Sequence, residues 1–431
     1  MSHSKSKPLA QNWQEILVQQ TRQAEREVQT VKRKRVLSVE LLVQTLVLGC
    51  LTDVKASLAD FVQTAAKLGV SMHKSSFDER LTARLVMLLA TILQLCLERQ
   101  LALPGVAIPK LKAFKAVFII DSTQISVAQS LYHAFAGNAS NAKMKIHLVM
   151  DYLTGMMHAL DCVPGRSPDQ KNGVLSRLMS RGVLFLFDLG YFQQELLQSI
   201  SQSGAFFVTR CQSQVGLYCA PLQQRVHLSE MLKAEKQGTT FAAACLLGNR
   251  VKTPVRVVAR RLPQQQADAR RRRAKAKAKD EGKTCSQAYR VQLGWEILVT
   301  NLDADWTLED IFILYGIRWQ IEITFKVWKS QLGVAQLGEW RAERVMGQFY
   351  AHMIGAFLCH STAALVPAVT SLAKAVQVIQ HHVADLLVVI RRNWYGIQRW
   401  ANDLWRALAR FAQHDKRKRT PTTLQILMNW G

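Results

Sequence analysis

Two aspartates stand at the carboxyl ends of apolar runs whose residue types favour β-strands. Asp121 follows the run AVFII, and Asp188 follows the run VLFLF. An ionised carboxylate beside so many apolar side chains is costly unless cations or hydrogen-bond donors compensate it. Two carboxylates at strand ends, with no lysine adjacent to either, are the residue types that bind a hard metal ion such as Mg²⁺. One such aspartate is equally typical of a turn or a helix cap, so the metal hypothesis needs a third oxygen donor.

Glu322 is the candidate third donor, on a segment whose apolar pattern predicts one helix over residues 310–333. At about 100° per residue, an arc of about 60° contains four polar side chains: Tyr315, Arg318, Glu322 and Lys329. Ile321 and Trp328 lie on an adjoining flank that is suited to packing. A solvated helix face could show the same pattern, because Glu and Arg at four-residue spacing are common on helices. A functional surface explains a narrow polar stripe on so apolar a helix better than a solvated face does.

These residue types fit metal-assisted chemistry at a phosphodiester. Three carboxylates that hold two divalent ions about 4 Å apart can activate an attacking oxygen and stabilise the leaving oxygen. Arg318 would bind a neighbouring phosphate through its forked guanidinium, Lys329 would act as a point charge, and Tyr315 would bond a phosphate oxygen. Water or a DNA 3′-hydroxyl could then attack directly, without a protein nucleophile.

The composition indicates the same class of partner. The chain has 431 residues, with 56 Lys and Arg against 31 Asp and Glu, which gives a net charge of +25. So strong an excess of cations predicts a polyanionic partner. The hydrophobic share of 49% and the charged share of 20% are typical of a globular protein and exclude disorder as the main state. The length predicts two to four packed units.

A cytoplasmic location without membrane insertion is expected. The most apolar windows, residues 41–51 and 85–97, are shorter than the roughly 20 residues that cross a hydrocarbon core. The N-terminus has no apolar stretch followed by a small-residue cleavage site. The eight cysteines contain no Cys-x-x-Cys pair, which predicts reduced thiols instead of a zinc module or a disulfide framework.

The elements that must position the candidate residues form a mixed α/β pattern. Short β-branched and aromatic runs predict strands over 116–123, 143–155, 183–192, 204–211 and 295–302, with a hairpin near 152–157. Helices are predicted over 173–180 and 193–203. Lys145 and His147 alternate with apolar residues, so their strand is predicted to have one polar side.

Three clusters of basic residues stand out. Arg270 to Arg273 with Lys275, Lys277 and Lys279 place seven cations in ten positions. Like charges at this density repel one another, which predicts a flexible, solvated loop that could still lie along phosphates. The shorter runs at 32–35 and 416–419 are typical of solvated surfaces or tails.

The spacing Tyr315-x2-Arg318-x3-Glu322-x6-Lys329 resembles the YREK signature of bacterial insertion-sequence transposases of family four, whose cut-and-paste members include the transposon-five enzyme. The surrounding YGIRWQIEITFKVWK is similar well beyond the four signature positions. Asp121 in IIDST and Asp188 in DLGYF match the first two acidic positions of the DDE triad of that family. The resemblance covers about residues 110–345.

The resemblance implies an RNase H-like catalytic core in which Asp121, Asp188 and Glu322 bind two Mg²⁺ or Mn²⁺ ions. The implied reactions are cleavage at transposon ends and strand transfer into target DNA, with a homodimer on the DNA. The implied DNA-binding residues are Arg210, Trp295, Tyr315, Arg318 and Lys329. Trp295 matches a tryptophan that stacks on a flipped base, with packing in the core as an equal alternative. Trp319 follows Arg318 as in the relatives and could anchor the helix.

We therefore expect an α/β protein in which a β-rich insertion interrupts the core and helical regions flank it. The expected regions are a helical DNA-end-binding domain 1–109, the first part of the core 110–212, the insertion with its basic loop 213–290, the second part of the core 291–365 and a C-terminal helical region 366–431 that could dimerise.

Three other functions fit part of the sequence. A non-catalytic DNA-binding regulator derived from a transposase would have no need for the intact Asp121, Asp188 and Glu322. An RNase H-like nuclease that cuts without joining has the same composition, and only the signature spacing favours transposition over it. A basic RNA-binding protein would leave the strand-end carboxylates unexplained.

Overall fold

The structure, a computed structural model, describes residues 3–30, 37–99, 108–170, 175–219, 224–235, 239–338, 340–366, 370–414, 426–427 and 430. The basic runs at 32–35 and 416–419 lie outside these residues. The chain forms two compact units. The first contains residues 1–107, 122–167 and 320–420, and the second contains 108–121, 168–319 and 421–431.

Strands of the second unit form the larger part of the sheet. Their order is β1-β4-β5-β10-β9-β8-β6-β7, in which β1, β4 and β5 are parallel neighbours and the later pairs are antiparallel. The strands are β1 (Ala116–Ser126), whose residues from Ser122 onward belong to the first unit, β4 (Val183–Phe187), β5 (Phe206–Arg210), β6 (Leu217–Cys219), β7 (Arg225–Val226), β8 (Thr240–Leu247), β9 (Thr253–Arg261) and β10 (Trp295–Thr300).

Five helices belong to the second unit: α7 (Gln194–Gln202), α8 (Leu228–Ala234), α9 (Gln264–Asp280), α10 (Gln287–Gln292) and α11 (Leu308–Ile317). The predicted helix at 193–203 is confirmed as α7. Of the predicted helix at 173–180, the described residues 175–178 form turns instead.

The first unit is mostly helical. It contains α1 (His3–Gln14), which continues through a π-helical stretch (Glu15–Gln20) into α2 (Thr21–Val28), then α3 (Val39–Thr52), α4 (Leu58–Lys67), α5 (Lys74–Asp78), α6 (Ala83–Glu98), α12 (Trp319–Ser330), α13 (Ala342–Leu365), α14 (Leu372–Val389) and α15 (Trp394–Phe411). The strands β2 (Lys143–Asp151) and β3 (Met157–Pro164) form the predicted hairpin and lie next to β1 in the order β3-β2-β1.

Helix α13 is the centre of the first unit. Its side chains are buried on nearly every face, and it packs against α1, α3 and α6. Two buried hydrogen bonds of 2.8 Å tie α1 to it, from Asn12 to Ser361 and from Trp13 to Thr362. The N-terminal and C-terminal helices thus pack together within the first unit.

The polar side of β2 is buried: Lys145 is 8% exposed, and His147, opposite Asp161 on β3, is 2% exposed. Two local predictions were wrong. The basic cluster at 270–279 is not a loop but lies in α9. The single helix predicted over 310–333 is two helices that meet at Arg318.

The architecture is α/β, with a large mixed sheet and flanking helices. All eight cysteines are free thiols, and four of them are buried. In the described part of the chain, no helix is long and apolar enough to cross a membrane.

Candidate active site

Three candidate residues form one row across the parallel strands of the second unit. Ile120 on β1 pairs with Phe187 on β4, which in turn pairs with Thr209 on β5. The residues that follow them are Asp121, Asp188 and Arg210. Residues at one register of parallel strands project to the same face, and neighbouring strands are about 4.8 Å apart. The register therefore places the two carboxylates side by side, with a guanidinium on the next strand.

Each carboxylate has a cationic partner. Asp121 Oδ2 accepts a hydrogen bond of 3.2 Å from Arg318 Nη1, and both side chains are largely buried, at 21% and 12% exposure. Asp188 Oδ1 lies 3.8 Å from Arg210 Nη1 and accepts a hydrogen bond of 3.0 Å from the Tyr315 hydroxyl. These contacts supply the compensating charges and donors that a carboxylate beside a buried strand requires.

Tyr315 and Arg318 come from the last turn of α11 and the residue after it, so the start of that helix decides where they lie. Thr307 and Asp310 form a capping box there. Asp310 also accepts hydrogen bonds of 2.6 Å from Lys110 Nζ and Trp430 Nε1. Burial alone would raise the pKa of Asp310, but these hydrogen bonds outweigh it and hold the pKa below its ordinary value. The charged cap and the packing of α11 against β4 and β5 fix the helix.

The family model described as a transposase DDE domain matches residues 112–357, which is more than half of the chain. The chain belongs to the DDE transposases. The matched range contains all eight candidate site residues, from Asp121 to Lys329. The chain is thus a DNA transposase and an enzyme of the DDE type, related to transposases of bacterial insertion sequences.

Curated relatives extend over nearly the whole chain. The transposase of insertion sequence element IS231D from Bacillus thuringiensis subsp. finitimus is 27% identical, covering 93% of this chain and 91% of its own. The transposase of IS231F from Bacillus thuringiensis subsp. israelensis is 26% identical, over 78% of this chain and 76% of its own. Among solved structures, a chain of the piggyBac transposase synaptic complex with hairpin DNA matches with a TM-score of 0.46 and 12% identity, covering 94% of this chain and 84% of that chain.

Tyr315 lies against Asp188. The transposase buries this side chain to 7% exposure, and its hydroxyl donates to Asp188. Burial raises the pKa of Tyr315, and the neighbouring Asp188 charge raises it further. The phenol therefore stays protonated and remains a hydrogen-bond donor to the carboxylate.

Glu322 and Lys329 lie on α12, in the part of the chain that belongs to the first unit. Glu322 is half-buried in the first turn, four residues after Arg318. Lys329 Nζ donates a hydrogen bond of 2.9 Å to the Gln124 carbonyl on β1, and burial lowers the pKa of this lysine. Ile321 and Trp328 are buried as predicted.

The two candidate tryptophans differ in exposure. Trp295 is 5% exposed, and the Arg261 guanidinium lies 4.8 Å from the centroid of its ring. Base stacking on Trp295 would require Arg261 to leave the ring. Trp319 is 58% exposed, so this indole does not anchor the helix by packing in the core.

The donor set of Asp121 and Asp188 fits a divalent ion, because two hard carboxylate oxygens lie side by side on a rigid strand platform. Enzymes of this family generally use divalent metal ions. Within the described residues, no group of three or more His, Cys, Asp or Glu side chains is arranged to hold a metal ion. The two aspartates would thus supply part of a ligand set.

Sequence reasoning missed the residues that support the site. Arg256 on β9 donates to the carbonyls of Asp303 and Trp306, in the loop that leads into α11. Lys110 and Trp430 hold the cap of the same helix from distant parts of the chain. The only local signal was the Thr307-x-x-Asp310 spacing, which is typical of a capping box.

Proposed function

We propose that this transposase works by the cut-and-paste route: it cleaves both strands at the ends of its element and joins the freed 3′-hydroxyls to target DNA. The observation that carries the proposal is the side-by-side placement of Asp121 and Asp188 at one register of neighbouring parallel strands. The parallel β1-β4-β5 arrangement is consistent with an RNase H-like core.

We propose Glu322 as the third carboxylate of the metal site, because it follows Arg318 by four residues in the sequence. Arg318, four residues before it, is held on Asp121. The Tyr315, Arg318, Glu322 and Lys329 spacing supports membership of insertion-sequence family four. Two Mg²⁺ or Mn²⁺ ions, when bound by the three carboxylates, would activate the attacking oxygen and stabilise the leaving oxygen.

The protein groups have separate tasks in this proposal. Tyr315 donates to Asp188 and fixes the orientation of that carboxylate. Arg318 neutralises Asp121 in the DNA-free protein and turns to a phosphate near the scissile bond when DNA is bound. Its forked guanidinium suits both partners, because carboxylate and phosphate present paired oxygens.

Arg210 and Lys329 complete the phosphate-binding set. Arg210 lies 41% exposed at the end of β5, next to Asp188, and so has access to the DNA backbone. Lys329 would bind a phosphate as a point charge. Trp319, with its exposed indole beside Arg318, and Trp295, once Arg261 has moved, are the candidate stacking surfaces for an unpaired base.

The partners are transposon-end DNA and target DNA. We assign end binding to the helical region 1–109 and dimerisation to region 366–431, because two ends must be processed together. The catalytically inactive regulator and the simple nuclease are not favoured.

An assay with defined DNA tests this function. Purified protein is incubated with Mg²⁺ or Mn²⁺ and a plasmid that carries the terminal repeats of the element. We expect double-strand breaks at both ends and joined products in wild type, and neither in Glu322→Gln, which removes a charge but little bulk. End binding should be retained. Cut DNA without joined products would indicate a nuclease, and bound but uncut DNA would indicate a regulator.

A further inference from the structure

Helix α9 carries the dense basic cluster and is anchored along one face. Ala267 is buried, and Arg270 Nη1 donates a hydrogen bond of 3.2 Å to the Trp295 carbonyl on β10. Arg271 makes a hydrogen bond and ion pair of 3.0 Å with Asp268 and also donates to the Arg290 carbonyl. Arg270 thus ties α9 to the sheet, and Arg271 ties it to α10.

An adjoining face presents cations to solvent. At about 100° and about 1.5 Å per residue, Arg272, Lys275 and Lys279 fall within an arc of about 60° along about 10 Å of helix. All three are exposed, as is Arg273 beside them. Among the described residues, none of these four forms an ion pair, whereas Lys277 lies 3.8 Å from Glu281. We name Arg272, Lys275 and Lys279 the α9 stripe.

Like charges at this spacing destabilise a helix, so the α9 stripe weakens the element that carries it. Alanine, lysine and arginine have high helix propensity, and the contacts of Arg270 and Arg271 add tertiary support. The helix forms although its exposed cations repel one another. A polyanionic partner would neutralise these charges on binding, so the helix is suited to such a partner.

The α9 stripe begins close to the candidate active site within the same unit. Arg270 bonds to the Trp295 carbonyl on β10, and Arg210 at the end of β5 pairs with Leu298, three residues further along the same strand. Arg210 is in turn next to Asp188 in the row across the strands. Positive charge thus continues from the catalytic row, through Arg270, to the exposed stripe.

We propose that the α9 stripe binds the phosphate backbone of the target duplex. Residues 270–279 are all arginine, lysine or alanine, so this stretch has no amide or hydroxyl side chain. Lysines act as point charges toward phosphates, and phosphate contacts carry no sequence information. Such a surface suits target DNA, whose sequence changes with each insertion, better than the terminal repeats, which are always the same. The proposal rests on the transposase function above and adds a target-binding surface to it.

The test separates the two DNA partners. The variant Arg272→Glu/Lys275→Glu/Lys279→Glu keeps helix-forming residues and reverses three charges. The control Arg225→Glu/Lys233→Glu/Arg250→Glu reverses three exposed charges elsewhere in the insertion. Both are compared with wild type for binding and cleavage of transposon ends, and for joining of precleaved ends to a plasmid. Circular dichroism and thermal melting verify folding, and the corresponding triple Gln variant replaces the Glu variant if that one is unfolded.

We expect the stripe variant to join precleaved ends at least tenfold less efficiently, with end binding and end cleavage within twofold of wild type. Its binding to a plain duplex should have a salt slope about two to three smaller, at about 0.9 per phosphate contact. Equal losses of end cleavage and joining would overturn the proposal, because the stripe would then hold the transposon end. Unchanged joining, or an equal loss in the control, would also overturn it. Wild type that cleaves ends but never joins them would instead refute the proposed function.

Discussion

Asp121 and Asp188 occupy equivalent positions on neighbouring parallel strands, each one residue beyond the paired Ile120 and Phe187. The equivalence explains why two residues far apart in the sequence share one face of the sheet. The partners of the two carboxylates, Arg318 and Tyr315, both come from the end of α11. The following predictions test how these groups act.

Replacing Arg318 with Ala should weaken DNA binding most at low salt and lower the salt slope by about 0.9, because one phosphate contact and its counterion release are lost. Filter binding to an end duplex over a range of salt concentrations measures the slope. Arg318→Lys, which keeps the charge without the fork, should retain the wild-type slope. An unchanged slope in the alanine variant would rule out a phosphate contact.

Replacing Tyr315 with Phe should slow end cleavage by about 10- to 100-fold with little loss of end binding. The hydroxyl donates to a charged carboxylate at 3.0 Å, and such a hydrogen bond contributes about 1.5–3 kcal/mol. Tyr350→Phe removes another largely buried hydroxyl, from α13, and serves as the control. Single-turnover cleavage with saturating metal measures the effect. Loss of binding in proportion to cleavage would assign Tyr315 to DNA contact instead.

Replacing Asp310 with Ala should destabilise the protein by about 2–4 kcal/mol, because Lys110, Trp430 and the Thr307 backbone N–H at the cap of α11 all lose one buried acceptor. Asp305→Ala, at an exposed position in the loop before α11, should change the free energy of unfolding by less than about 0.5 kcal/mol. Denaturant unfolding compares the two. Equal small effects would show that the cap of α11 contributes little.

His360 should make stability sensitive to acid. Burial lowers the pKa of His360 to about 4 and outweighs the hydrogen bond to the Gly155 carbonyl, which raises it. The neutral ring accepts a hydrogen bond from Trp328 Nε1. An unfolded histidine has a pKa of about 6.5, so the unfolded chain binds more protons between these values. The contribution of His360 to the free energy of unfolding should therefore be fully present above pH 6.5 and should be lost as the pH falls to about 4.

The variant His360→Gln tests this pH dependence, since glutamine donates and accepts without titrating. Between pH 7.5 and 5.0, wild type should lose about 2 kcal/mol more stability than the variant. His381→Gln, at an exposed position of α14, should behave like wild type. A His360→Gln variant with the wild-type pH dependence would show that this histidine is already protonated in the folded protein.

The sequence predicted the strands that carry Asp121 and Asp188 because their apolar β-branched and aromatic runs are local signals. It did not predict the row with Arg210, since register depends on pairing between distant segments. It also missed the burial of Lys145 and His147, because alternation marks one side of a strand as polar without showing what packs against that side.

Helix α9 shows the opposite competition between local and tertiary effects. Charge density predicted a loop, whereas helix propensity and the hydrogen bond from Arg270 to the Trp295 carbonyl favour a helix. The break at Arg318 separates the signature residues onto two helices, and periodicity could not locate it because apolar residues continue at helical spacing on both sides. The capping partners Lys110 and Trp430 have no local signal.

The central claim is that Asp121, Asp188 and Glu322 hold the same metal ions. Counting Mn²⁺ bound to the transposase on a cleaved-end duplex, by titration followed with electron paramagnetic resonance, tests it directly. We predict about two tightly bound ions per active site in wild type and in Glu309→Gln, an exposed control. Asp121→Asn, Asp188→Asn and Glu322→Gln should each lose at least one ion while still binding the duplex. A Glu322→Gln protein that binds Mn²⁺ with wild-type number and affinity would contradict the claim.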